Sequence, residues 1–92
     1  MIEKMIAARI AAVQLTDPAW VKWANSWLSG ADRTAHAAEQ ISSVMYDARL
    51  ASLASYDRPR AKEYNSAEII SSAAWALADG DTKAVKALLL IP

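Results

Sequence analysis

From residue 2 to residue 15 the apolar positions Ile2, Met5, Ile6, Ile10 and Val13 recur at steps of three and four, with Lys4 and Arg9 off the stripe. That period predicts an amphipathic helix over Ile2 to Leu15. Thr16-Asp17-Pro18 interrupts it, and Asp17 has the right chemistry to cap a second helix whose first residue, Pro18, needs no donor. In that helix Trp20, Trp23, Ala24, Trp27 and Leu28 follow i, i+3, i+4, i+7 and i+8, while Lys22 and Asn25 turn outward. It ends at about Ser29, because Gly30 can take the left-handed conformation that closes a helix.

Asp32 is then the expected N-cap of a third helix, which meets no breaker from Arg33 to Ser55. Its apolar residues form two faces: Ala37, Ile41, Val44, Ala48 and Ala51 make one, and Tyr46, Leu50 and Leu53 make another. Neighbours on two sides are expected, which marks this as the central helix. Tyr56-Asp57-Arg58-Pro59-Arg60 breaks the pattern, since Pro59 disfavours a helical Arg58. A fourth helix is predicted from about Arg60 to Ala78, with Tyr64, Ala67, Ile70, Ala74 and Leu77 aligned and Ile69, Ala73 and Trp75 widening the buried face. Asp79-Gly80-Asp81 closes it and caps a short last helix, Thr82 to Leu90. The predicted fold is all-α, a compact antiparallel bundle of four to five helices with short connections, in one domain spanning residues 1–92.

Composition explains how such a bundle would pack. Apolar residues are 54% of the 92, yet 21 are alanine, none is phenylalanine and four are tryptophan. Ala48, Ala51, Ser52, Ser71, Ala74 and Ala78 are expected to let helix axes approach toward the short end of the usual range of about 8–10 Å. The four tryptophans, Trp20, Trp23, Trp27 and Trp75, then fill the larger gaps.

Charge narrows the function. Ten Lys and Arg balance ten Asp and Glu, and no basic run restores the counterion release that drives binding to nucleic acid. The helix-turn-helix alternative, residues 27 to 45, fails on the same ground, because its recognition helix would open with Asp32 and reach Glu39 with a single arginine between. The longest charge-free stretch considered, Ile69 to Ala78, is about half of the roughly 20 residues a membrane span needs. The start, Met1-Ile2-Glu3-Lys4, has no signal-peptide order. Without cysteine there is no thiolate chemistry or disulfide, and a cytoplasmic location is expected.

Catalytic sets are equally thin. His36 and Glu39 form a two-ligand pair on one helix face, short of the three or four that a metal site requires. Nine serines are present, but no nucleophile elbow and no glycine-rich phosphate loop surrounds them. No cofactor or metal is expected, and a small enzyme is the disfavoured third alternative.

Two features remain for binding. The tryptophan face of the second helix reads as core, or as core with Trp20 left exposed as an aromatic anchor. The segment Tyr56, Asp57, Arg58, Pro59 and Arg60 reads as a polar turn, or as a proline-stiffened docking point whose two guanidiniums grip a partner's carboxylates or phosphates. The stretch Asp17-Pro18-Ala19-Trp20-Val21-Lys22-Trp23-Ala24-Asn25-Ser26-Trp27-Leu28-Ser29-Gly30-Ala31-Asp32-Arg33-Thr34-Ala35 resembles small alanine-rich helical proteins of bacteria and their phages, some of them labelled immunity proteins. The likeness rests on Trp23-Ala24, Trp27-Leu28, Gly30 and Asp32-Arg33, and Asp57-Arg58-Pro59-Arg60 is similar to a further motif of that group; the group's longer alanine repeats are absent. The resemblance implies a helical protein of phage or mobile-element origin that binds and occludes a protein target, as an immunity protein or an inhibitor of a host defence would. It transfers no site residue. The apolar excess and zero net charge leave a homodimer, or a structural homo-oligomer without a separate target, as the other expectation.

Overall fold

The computed structural model describes residues 1–91, all-helical and compact, with no strand among the described residues. Five helices follow in order: α1 (Ile2–Ala12), α2 (Pro18–Ser29), α3 (Ala35–Ala54), α4 (Arg58–Ala78) and α5 (Thr82–Leu89). The radius of gyration, 12.5 Å, matches the ~12 Å of a well-packed chain of this length. None of the described helices is long and apolar enough to cross a membrane.

Local chemistry sets most of the boundaries. Asp17 Oδ1 accepts from the Ala19 N–H at 3.0 Å and Pro18 opens α2. Gly30, at φ 79°, ends it by donating its N–H to the Trp27 carbonyl at 3.1 Å. Asp81 caps α5 by accepting from the Ala84 N–H at 3.0 Å.

Three boundaries differ from expectation by more than one residue. The first helix stops at Ala12 rather than Leu15, because Val13 is extended. In extended chain alternate residues share a face, so Val13 and Leu15 both pack on the core while Gln14 turns out and donates its N–H to Glu63 Oε2 at 3.2 Å. The third helix starts at Ala35 and its N-cap is Thr34, whose Oγ1 accepts from the Ala37 N–H at 3.2 Å. Asp32 acts one step earlier, accepting from both the Thr34 N–H (3.0 Å) and its hydroxyl (2.7 Å), so it orients the cap. Arg33 therefore lies outside the helix; its Nε donates to the Trp27 carbonyl at 2.8 Å and its guanidinium carbon lies 4.1 Å from the Trp27 ring centroid. The fourth helix begins at Arg58, not Arg60, since Asp57 caps it through the Arg60 N–H at 3.2 Å and a proline in the first turn forfeits no intrahelical bond.

α4, not α3, is the central helix: it packs against α3, α5 and α1, whereas α3 packs against α4 and α2. Small buried residues, Ala67, Ser71, Ala73 and Ala74, allow neighbours to approach α4 over a broad arc. The Ser71 hydroxyl is satisfied within α4 by the Ala67 carbonyl at 2.8 Å. α3 and α4 run antiparallel, because the hydrogen-bonded Ser42–Ser72 pair (2.8 Å) and the Arg49 Nε to Glu68 Oε1 bond (3.1 Å) advance along α3 while retreating along α4. Of the other small residues expected between helices, Ser52 is buried, Ala48 half-buried, and Ala51 and Ala78 exposed.

The tryptophans divide three to one. Trp20, Trp23 and Trp27 are 2%, 7% and 1% exposed and join Ile6 and Ile10 of α1, Met45 of α3, Ile70 of α4 and Leu89 of α5 in one core. The rings of Trp20 and Trp23 meet at 5.2 Å with a 44° tilt. Trp75, expected to fill the core, is instead 37% exposed at the α3–α4 seam.

Candidate functional site

The turn between α3 and α4 carries four of the five residues singled out for partner binding. α3 ends when the Tyr56 N–H donates to the Leu53 carbonyl (3.1 Å) and the Asp57 N–H to the Ser52 carbonyl (2.9 Å). This double bond pattern needs a left-handed residue between helix and exit, and glycine is the usual one. The end of α4 follows the rule with Gly80 at φ 76°. Here the residue is Tyr56 at φ 60°, and its side chain is 92% exposed.

Asp57, next along, is committed to its capping bond with the Arg60 N–H. Arg58 and Arg60 are exposed on the first turn of α4. The Arg60 guanidinium carbon lies 5.8 Å from the Tyr64 ring centroid. The neighbouring Tyr64 hydroxyl, then the Asp57 and Asp17 carboxylates, raises the Arg60 pKa above its usual value. Tyr64 in turn donates its hydroxyl to Asp17 Oδ2 at 2.9 Å, so the carboxylate that caps α2 also ties α2 to α4. Arg60 thus sits on a braced support, and a shallow groove of about 410 Å³ lined by Leu15, Thr16, Pro59 and Arg60 opens beside it.

The fifth residue, Trp20, is not at the site. It lies in the core against Trp23, so the expectation of an exposed aromatic anchor there is corrected: α2 turns all three indoles inward, where each removes a large apolar area from water. The exposed aromatics are Tyr56 together with Tyr46 and Trp75, neither of which the sequence reading had placed at a surface. A signal existed for Tyr46, since a helix with two apolar faces needs two sets of neighbours. None existed for Trp75, which lies beside the core stripe of α4 at ordinary helical spacing.

Chemistry-bearing groups do not converge. Among the described residues no three of His, Cys, Asp and Glu come together to hold a metal ion. His36 is exposed near the start of α3. One buried polar side-chain atom of the described residues has no hydrogen-bond partner, the indole nitrogen of Trp23. Leu90 repeats the Tyr56 arrangement at the end of α5, with φ 57° and an exposed side chain at the rim of a groove between α1, α4 and α5. Comparison of the chain with family models, with curated proteins and with solved structures returns no match.

Proposed function

We propose that this chain is a small helical protein-binding module that acts in the cytoplasm by occluding a target protein, without catalysing a reaction. Its contact surface is the turn Tyr56, Arg58 and Arg60, with Asp57 holding the turn in shape. The observation that carries the reading is Tyr56. A left-handed backbone costs a non-glycine residue about 1–2 kcal/mol, and Gly80 meets the same need at the end of α4 without that cost. A tyrosine with its ring in solvent contributes no packing in return. Tyrosine and arginine are also the side chains that most often anchor a protein interface, one by rigid area and the other by its planar fork of donors. An immunity protein or an inhibitor of a host defence, of phage or mobile-element origin, is the kind of function this surface suits.

The test separates binding from stability. Tyr56→Gly should raise stability by about 1 kcal/mol, because it relieves the backbone, yet reduce capture of the target by the tagged chain. Adding Arg58→Ala and Arg60→Ala should abolish capture while thermal unfolding stays at or above that of the parent. Equal recovery of the same protein by parent and triple variant would sink the reading.

A further inference from the structure

The second apolar face of α3 is left without a neighbour. Tyr46, Leu50 and Leu53, at i, i+4 and i+7, share one side of the helix and are 44%, 43% and 46% exposed. Trp75 extends the patch across the seam to α4, where it lines one shallow groove with Tyr46, Glu39 and Glu68. Arg49 edges the patch: its guanidinium carbon lies 5.1 Å from the Tyr46 ring centroid and its Nε bonds Glu68.

We propose that this face binds a second copy of the chain, with α3 packed antiparallel on α3 of the other copy about a two-fold axis at the level of residue 48, midway between Tyr46 and Leu50. Tyr46 of each copy then meets Leu50 of the other. Area supports the choice. At about 200 Å² for a fully exposed large side chain, the four residues leave roughly 350 Å² uncovered per copy. In an interface about 60% apolar, two such patches correspond to on the order of 1,100 Å², just above the ~1,000 Å² that specific pairing needs.

Charge at the two ends of the stripe favours the antiparallel direction, while Asp47, which flanks the stripe beside its counterpart in the other copy, opposes the pairing in part. The stripe itself is uncharged, Glu39 stands exposed before its start, and Arg58 stands exposed beyond its end. An antiparallel pair directs Glu39 of one copy toward the Arg58 end of the other, whereas a parallel pair would set Glu39 beside Glu39. Opposite charges at the rim favour encounter and fix register. With ten cations and ten anions, a pair of chains also meets no net repulsion. The pairing does not require the 56–60 turn to bind a target; Arg58 alone serves both, so the variants that test the pairing leave that turn unchanged.

Sedimentation equilibrium of the full chain, from micromolar to hundreds of micromolar, should show the mass rising from 10.0 kDa toward twice that value. Leu50→Glu with Leu53→Glu places four carboxylates in the proposed seam and should weaken association by roughly 100-fold or more, with far-UV circular dichroism unchanged. The chain has no cysteine of its own, so single replacements report geometry whatever the fate of that double variant. Asp47→Cys, on the flank of the seam, should be joined to its counterpart by a short bis-maleimide that spans roughly the 8–10 Å between paired helix axes, and Lys22→Cys, exposed on α2, should not. A chain that stays monomeric throughout overturns the proposal and leaves this face to a different protein. A dimer that survives the double substitution, or that cross-links through Lys22→Cys rather than Asp47→Cys, overturns the choice of face.

Discussion

Trp20, Trp23 and Trp27 on α2 span i, i+3 and i+7, and Tyr46, Leu50 and Leu53 on α3 span i, i+4 and i+7, so each set lines one helix face, yet the first set is buried and the second is nearly half exposed. Neighbours make the difference. α2 lays its stripe where α1 and α3 can cover it, and the indoles belong to one core that holds residues of all five helices. α3 gives its opposite side, with Ala38, Ile41 and Met45, to α4 and α2, while α5 packs on α4 and α1 on α4 and α2. Among the described residues no helix is left for the second stripe. A helical period therefore establishes that a face is fit for burial, and the supply of neighbours decides whether the fold itself buries it.

The contrast can be broken most directly at its buried pole. Trp27→Ala should cost about 3–5 kcal/mol, a large share of a small domain's stability, and lower the thermal midpoint by roughly 15 °C or more. A midpoint close to that of the parent would remove the indoles from the centre of the fold. At the exposed pole Leu53→Ala, measured in dilute protein where copies are apart, should change unfolding free energy by less than about 1 kcal/mol. A loss as large as that of Trp27→Ala would mean that α3 carries a neighbour on that side within its own chain.

The smallest effect sharpens how the two stripes are phased. The Asp32–Thr34 cap fixes where α3 starts, and hence which of its faces turns toward α2. Hydrogen bonds from the Thr34 hydroxyl and then its N–H hold the Asp32 carboxyl below its usual pKa. With the folded pKa lowered, the contribution is present above the unfolded-state pKa and fades as pH falls through the folded one. Asp32→Asn should thus be slightly less stable than the parent at neutral pH. The gap should close in acid below the ordinary carboxylate range, as read from urea midpoints across pH; a gap that widens in acid would contradict the assigned hydrogen bonds.

Much of the local structure was legible because its causes lie within four residues. Asp17 with Pro18, Gly30, Gly80 and Asp81 each act on the nearest backbone groups, and each does what its type implies. The start of α4 was misplaced for a local reason, the Asp57 cap on Arg60, but the other boundary errors involve residues further off. Val13 leaves its helix because extended chain places both Val13 and Leu15 on the core and brings Gln14 to Glu63. Arg33 stays out of α3 because the Trp27 carbonyl and ring engage it from α2. Of the candidate site, Tyr56, Asp57, Arg58 and Arg60 were visible as a break in the pattern around Pro59. The left-handed backbone of Tyr56 was not, since a tyrosine gives no local sign of a conformation normally reserved for glycine.

The sequence by itself determined five helices, most of their stops and caps, and the faces that α1, α2 and α4 bury, because period and capping are short-range effects written in neighbouring residues; on α3 the buried set, Ala38, Ile41, Ser42, Met45 and Ser52, lies between the two expected faces and leaves Val44 and Ala51 exposed. Only the tertiary structure decided that α4 rather than α3 lies at the centre, that Trp20 is inside and Trp75 at the surface, and that one stripe of α3 is left uncovered. Those outcomes depend on which helices compete for the same face, and burial rewards total apolar area removed from water, a sum taken over elements far apart in the chain.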